Sequence, residues 1–122
     1  FTEKISNDLP ISVFNYGKMQ RDFTFIDDII QGTRASIDKN YVCEVFNLGN
    51  NRCENLMDMI GLIEESLGKK AKIILMDIQP GDVEKSFADI EYSRDKLGYE
   101  PTTSITEGIP VFIRWYRDYT SN

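Results

Sequence analysis

Four groups of side chains have a type and spacing that could do chemistry. Arg21 stands between two turn-like segments, immediately ahead of the aromatic run Phe23-Thr24-Phe25. A guanidinium is planar, permanently charged and able to fork onto two phosphate oxygens. Arg21 therefore reads either as a phosphate ligand or as the ion-pair partner of Asp22, Asp27 or Asp28. Gln79-Pro80-Gly81-Asp82 could present its carboxylate to sugar hydroxyls, with Gly81 permitting close approach; an ordinary β-turn is the simpler reading. Tyr92 and Lys96 have the Tyr-x-x-x-Lys spacing at which an ammonium lowers the pKa of a phenol on the same helix face and makes it a usable base. No dinucleotide site precedes that pair, so it reads as a solvated helix face. Cys43 and Cys53 lack a CxxC pattern or a third sulfur, so they indicate neither a metal site nor a disulfide framework.

What is missing narrows the chemistry further. The chain has no His, which removes the commonest general base, the Ser-His and Cys-His nucleophile pairs and most zinc sites. Its 8 glycines form neither Gly-x-Gly-x-x-Gly nor Gly-x-x-x-x-Gly-Lys-Ser/Thr, so the chain is not expected to hold a dinucleotide by itself. The 20 acidic side chains outnumber the 14 basic ones and the net charge is −6. Nucleic acid is therefore an unexpected partner, because neutralising a phosphate backbone requires clustered Lys and Arg. The longest apolar runs are short, such as residues 73–76, and nothing is expected to span a bilayer. Unpaired thiols and the lack of a leader pattern point to the cytoplasm. Residue 1 is Phe, in mid-pattern, so the chain is expected to be a segment of something longer.

These residues must be held by the elements around them. A length of 122 residues suits one domain, 1–122. Phe1 to Asn7 reads as the last turns of a helix stopped by Asp8 to Pro10. Ile11 to Asn15 and Asp22 to Ile26 alternate and read as two strands. Asp27 or Asp28 would cap a helix running to about Asp38 and burying Ile26, Ile30, Thr33 and Ile37. Glu44 to Leu48 reads as a strand ending in the turn Gly49-Asn50-Asn51. Asn55 would cap a strongly periodic helix with Leu56, Ile60, Ile63 and Leu67 on one face and Gly68 past its end. Lys72 to Ile78 reads as a strand, and Asp89 would cap a short helix through Leu97. Ser104-Ile105-Thr106-Glu107 fits a capping box opening a last helix. Ile105, Ile109, Phe112 and Tyr116 would be its buried stripe, with a kink expected at Pro110. Trp115 and Tyr119 would form a partly exposed edge. The expected order is α, β, β, α, β, α, β, α, α, a mixed α/β fold.

Five motifs appear in order: Gly17-Lys18-Met19-Gln20-Arg21-Asp22-Phe23-Thr24-Phe25-Ile26-Asp27-Asp28; Phe46-Asn47-Leu48-Gly49-Asn50; Gln79-Pro80-Gly81-Asp82-Val83 with Ala88-Asp89; Leu97-Gly98-Tyr99-Glu100-Pro101; and Ser104-Ile105-Thr106-Glu107-Gly108. Together they resemble the C-terminal third of NAD-dependent nucleotide-sugar epimerases and dehydratases, the extended short-chain dehydrogenase/reductase family. Gln79, where UDP-galactose 4-epimerases have an Arg, is similar to the UDP-glucuronate 4-epimerase branch. The resemblance implies a small C-terminal substrate-binding lobe without the Rossmann core, whose Gly-rich loop, catalytic Tyr and Lys and bound NAD would lie upstream. No catalytic residue is then expected among these 122, and the chain would be inactive alone. By carry-over, Arg21 would bind the diphosphate of a UDP-sugar, the strand holding Ser12 to Phe14 would offer backbone groups to uracil, and Phe23 would lie near the nucleoside. Asp82 would face the ribose and phosphate, with Gln79 beside it, while Asp27 and Asp28 would remain helix caps. In the whole family enzyme the sugar C4 hydroxyl is oxidised, the 4-keto sugar turns over, and the hydride returns to its other face. A dehydratase, decarboxylase or reductase on the same fold, or a non-catalytic binding or assembly module, are the alternatives. Removing the Rossmann sheet from beside Glu44 to Leu48 would expose strand edges, so a homodimer is expected.

Overall fold

A computed structural model describes residues 1–121. The order is α1 (Thr2–Ser6), β1 (Pro10–Val13), a 3-10 turn (Asn15–Gly17), β2 (Gln20–Arg21), α2 (Ile26–Lys39), β3 (Glu54–Asn55), α3 (Leu56–Leu67), β4 (Lys72–Leu75), α4 (Glu91–Leu97) and α5 (Ile105–Thr120). The class is the mixed α/β fold expected from the sequence. β1 and β4 pair in parallel with Ile11 opposite Ile73 and Val13 opposite Leu75. β2 and β3 form a two-residue antiparallel ladder, Gln20 opposite Asn55 and Arg21 opposite Glu54.

The first core lies between this small parallel sheet and the packed helices α3 and α5. Ile5, Ile11, Val13, Ile60, Ile63 and Ile113 are buried together, with Leu56, Leu67 and Ile109 packed against them. Period 2 in β1 and period 3.6 in α3 point these residues to one side. Gly68 follows α3 in the left-handed region at φ 67°, where a side chain would be strained. Ser104 and Glu107 form the complete capping box at the start of α5. That helix continues through Pro110 as one element.

The second core is smaller: Ile90, Leu97 and Tyr99, with Ala35, Phe46, Leu48 and Ala88 against them. Asp89 is not the N-cap of α4 as expected; that position is Ile90, and Asp89, one residue earlier, accepts from the Glu91 amide at 3.0 Å.

Several expectations change. The strand expected over Asp22 to Ile26 is displaced: only Gln20–Arg21 finds a ladder partner, and residues 22–25 are irregular up to the start of α2. The strand expected over Glu44 to Leu48 is absent among the described residues, because no neighbouring strand pairs with it. The helix over Ile26–Lys39 forms, yet its buried side is not the expected one. Ile26, Ile30 and Ile37 are 59%, 56% and 70% exposed, Thr33 is exposed too, and Asp28 and Gly32 are buried instead. Gly32 explains the reversal, since a Cβ there would lie 2.6 Å from Leu48 Cδ2 and 2.8 Å from Tyr99 Cδ2. The absent side chain lets the helix backbone sit directly on the second core. Neither Asp27 nor Asp28 caps α2; the N-cap position is Phe25 and makes no side-chain bond. On α5, Gly108 and Ile113 are buried with Ile105, whereas Phe112 lies at the boundary of exposure.

Candidate functional site

Arg21 ends the short strand β2, so its backbone is fixed by pairing with Glu54 while its side chain reaches across to the loop after β4. Its Nη1 donates to the carbonyls of Gln20 at 2.8 Å and Glu84 at 3.2 Å. Its Nη2 donates to Asp82 Oδ1 at 2.6 Å, with the two side chains 26% and 32% exposed. The ion-pair partner is thus Asp82 rather than Asp22, Asp27 or Asp28. Asp82 sits in the turn foreseen at Gln79-Pro80-Gly81-Asp82, where its amide donates to the Gln79 carbonyl at 3.0 Å and Gly81 adopts φ 83°. Its Oδ1 also accepts from the Val83 amide at 2.9 Å.

Of the remaining expected site residues, Gln79 meets this pair through its carbonyl on the Asp82 amide, whereas Ser12, Phe14 and Phe23 make no hydrogen bond to it among the described residues. Ser12 points to the exposed side of β1 and Phe14, half-buried, follows the strand. The Phe14 carbonyl accepts from Gly17 N and closes the Asn15–Gly17 turn, while Val13 and Tyr16 are tied through backbone bonds to Met76. That turn is bent tightly, with Asn15, Tyr16 and Gly17 all at positive φ, and it places the Tyr16 hydroxyl 2.6 Å from Asp77 Oδ1. The bond to Asp77 pushes the Tyr16 pKa up. Phe23 lines an apolar cavity of about 370 Å³ with Phe25, Met59, Ile105, Ile109 and Phe112.

Two carboxylates that spacing did not single out for this role organise the site. Asp22, between Arg21 and Phe23, accepts from the amides of Asn50 at 2.7 Å, Asn51 at 3.0 Å and Ala88 at 3.1 Å, and from Thr24 Oγ1 at 3.1 Å. It ties the Arg21 segment to the Gly49–Asn51 turn and to the start of the second core. Gly49 makes this possible: a Cβ there would lie 2.5 Å from Ala88 Cβ and 2.9 Å from Asp22 Oδ2. Asp28, buried, accepts from the amides of Thr102 and Thr103 at 3.1 and 3.0 Å and so fixes the approach to α5. The sequence signals were an Asp directly after Arg21 and the second Asp of the Asp27-Asp28 pair in the first turn of α2. Neither reveals a partner dozens of residues away.

Tyr92 donates to Glu44 Oε2 at 2.9 Å, and Lys96 Nζ lies over its ring at 5.9 Å from the centroid. The bond to Glu44 pushes the phenol pKa up, the wrong direction for a general base. The pair is an exposed structural contact, in keeping with its reading as a solvated helix face. Cys43 and Cys53 are unpaired thiols. Among the described residues no His, Cys, Asp or Glu group gathers to hold a metal ion. Gly17, Gly68, Gly81 and Gly98 occupy positive-φ turns and helix ends, Gly32, Gly49 and Gly108 have their Cβ positions filled by packed side chains, and Gly61 lies within α3. No helix among the described residues is long and apolar enough to cross a membrane.

No protein-family model matches the chain. Individual relatives do. An uncharacterised protein of Methanocaldococcus jannaschii is 43% identical over 116 residues, 95% of this chain and 36% of that protein. A UDP-glucuronate 4-epimerase of Thermodesulfobacterium geofontis is 36% identical over 119 residues, 97% of this chain and 36% of the enzyme. The solved structure of a UDP-glucuronic acid 4-epimerase from Bacillus cereus, in complex with UDP-glucuronic acid and NAD, superposes with a TM-score of 0.85 at 32% identity, covering 97% of this chain and 38% of that one. The chain thus spans about a third of the length of the curated relatives it matches. It belongs to the NAD-dependent nucleotide-sugar epimerase and dehydratase family, the extended short-chain dehydrogenases, and matches the C-terminal part of that fold. Within the family it is similar to the UDP-glucuronate 4-epimerases.

Proposed function

We propose that this chain is the nucleotide-gripping part of a UDP-sugar epimerase acting on UDP-glucuronate, with the redox chemistry carried by residues outside these 122. The observation that carries the reading is Arg21. Its guanidinium is anchored through Nη1 on two carbonyls and through Nη2 on Asp82, and the residue precedes the segment 22–26 that lines the Phe23 cavity. A sugar that must turn over between two hydride transfers needs a firm hold on its UDP and a loose hold on the sugar ring. Arg21 supplies a charge-assisted fork for the diphosphate, β1 around Ser12 and Phe14 supplies backbone groups for uracil, Phe23 supplies an apolar wall, and Asp82 with Gln79 faces the ribose. Gln79 in place of a second Arg leaves Arg21 the main phosphate contact and supports the glucuronate branch. On this reading the chain alone turns nothing over. It takes NAD only as part of the larger enzyme and works in the reducing cytoplasm, in line with its free Cys43 and Cys53. The apolar residues left open on α2 support a homodimer of the isolated chain. Calorimetric titration with UDP tests the grip. The wild-type chain binds UDP, and Arg21→Ala weakens it by about tenfold or more, as expected for a lost charge-assisted pair; unchanged affinity would sink the proposal.

A further inference from the structure

The segment from Met76 to Lys85 is exposed throughout. Its ends are pinned: Met76 is bonded to Val13 and Tyr16, Asp77 takes the Tyr16 hydroxyl, and Glu84 takes the Gln20 amide. Between Asp77 and Glu84, the tie to the rest of the molecule among the described residues is the bond from Arg21 to Asp82. The guanidinium that makes this tie has two forks. Nη1 is committed to carbonyls, Nη2 is shared with Asp82, and Nε has no acceptor among the described residues. A phosphate must therefore use the fork of Nε and Nη2, which brings it against the Asp82 carboxylate across one nitrogen. Two anions that close repel, and the exposed pair is weak enough to exchange.

We infer that the Arg21–Asp82 ion pair is an anion-operated latch: a diphosphate arriving on Arg21 displaces Asp82 and frees the tip of the 78–83 strap, which can then reorganise over the ligand. This rests on the reading of Arg21 as a phosphate ligand and adds a competitor to it. It also gives Asp82 successive partners, first Arg21 and then the hydroxyls of the ribose.

The test uses the full chain, inorganic pyrophosphate and UDP as probes, and two readouts. In the absence of ligand, Arg21→Gln and the near-isosteric Asp82→Asn each lower the 15N order parameters of Gly81, Asp82 and Val83 and leave α3 and α5 unchanged. Because both variants cut the same tie, failure of one to fold leaves the other to decide. With pyrophosphate, which has no ribose, Asp82→Asn binds about two- to fivefold more tightly than wild type, the range expected for removing an exposed competing charge. Pyrophosphate added to wild type lowers the same three order parameters. Equal or weaker pyrophosphate binding by Asp82→Asn, or a strap equally ordered without its tie, overturns the latch. If UDP binds wild type no more tightly than pyrophosphate does, the nucleotide reading fails while the latch stands. If pyrophosphate binds neither protein, the latch is wrong.

Discussion

The half of the molecule built on α1, β1, β4, α3 and α5 and the half built on α2, α4 and the Tyr99 segment are held by different means. In the first, aliphatic side chains from five elements interlock, and six of them are almost wholly buried. In the second, three buried residues are supplemented by polar sockets: Asp22 on three amides, Asp28 on two, Ser93 Oγ on the Asn47 carbonyl at 2.6 Å and Tyr99 on the Gly49 carbonyl at 2.8 Å. The same half leaves Ile26, Ile30, Ile37, Val42 and Val45 in the open. Apolar packing tolerates small shifts, whereas a carboxylate bonded to several amides fixes backbone positions. Arg21 and Phe23 flank one of those carboxylates, so the candidate site stands where directional bonds dominate.

The contrast can be broken by mutation. The largest effect is expected in the first half, where Ile60→Ala empties the centre of the aliphatic core and costs about 3–5 kcal/mol in urea unfolding. A loss below about 1 kcal/mol would mean that this core is not the main support. Next comes Asp22→Ala, which strips three amides of their acceptor. The expected loss is about 2–4 kcal/mol, with faster hydrogen exchange at Asn50, Asn51 and Ala88; slow exchange at those amides would show that the socket is not what orders them.

Tyr99→Phe leaves the Gly49 carbonyl unpaired and should cost about 1–3 kcal/mol. It also carries a pH signature. Burial first, then the nearby Asp28 and Asp22, push the Tyr99 pKa up to about 12. The unfolded phenol ionises near 10. The folded state therefore retains a proton that the unfolded state has lost, and stability falls as pH rises from about 10 to 12. Stability curves of wild type and Tyr99→Phe should differ in slope across that window.

Smaller still is Glu64→Gln at the link from α3 to β4. The Glu64 carboxylate accepts from Lys70 Nζ and from the Ala71 amide, both at 2.7 Å. Those bonds, Lys70's first, hold its pKa below the usual range. Its stabilisation is present above the unfolded glutamate value of about 4.3 and is lost as pH falls through the lower folded value. The variant should lose roughly 0.5–1 kcal/mol at neutral pH and match wild type in strong acid. The smallest change belongs to the open face: Ile30→Glu should shift the urea midpoint by no more than about 0.5 kcal/mol equivalent. Light scattering should show it less self-associated than wild type, and a large destabilisation would place Ile30 in a core after all.

The sequence discloses these two halves unequally. The capping box at Ser104, the periodic stripe of α3, the alternation in β1 and the glycine stop at Gly68 all express local rules, and each lies where the pattern put it. The stripe of Ile26, Ile30 and Ile37 is equally regular, yet periodicity says only that a face exists. Gly32 decides which side approaches Leu48 and Tyr99. Asp22 to Ile26 and Glu44 to Leu48 read as strands, but a ladder needs a partner, and the described residues offer them none. At the site, Arg21 was visible from its place between turn-like segments, just ahead of an aromatic run. Its partner was not, because Asp82 lies in a loop 61 residues further on, beyond any spacing rule.

The parallel pairing of β1 with β4 has a kinetic consequence. Antiparallel neighbours can zip from a two-residue turn, but Ile11 meets Ile73 only after the whole intervening chain has closed. During synthesis the first strand leaves the ribosome long before its mate, and its two buried positions must wait without cover. Pairing β1 with β4 therefore closes a longer loop than pairing β2 with β3 and carries the larger closure entropy.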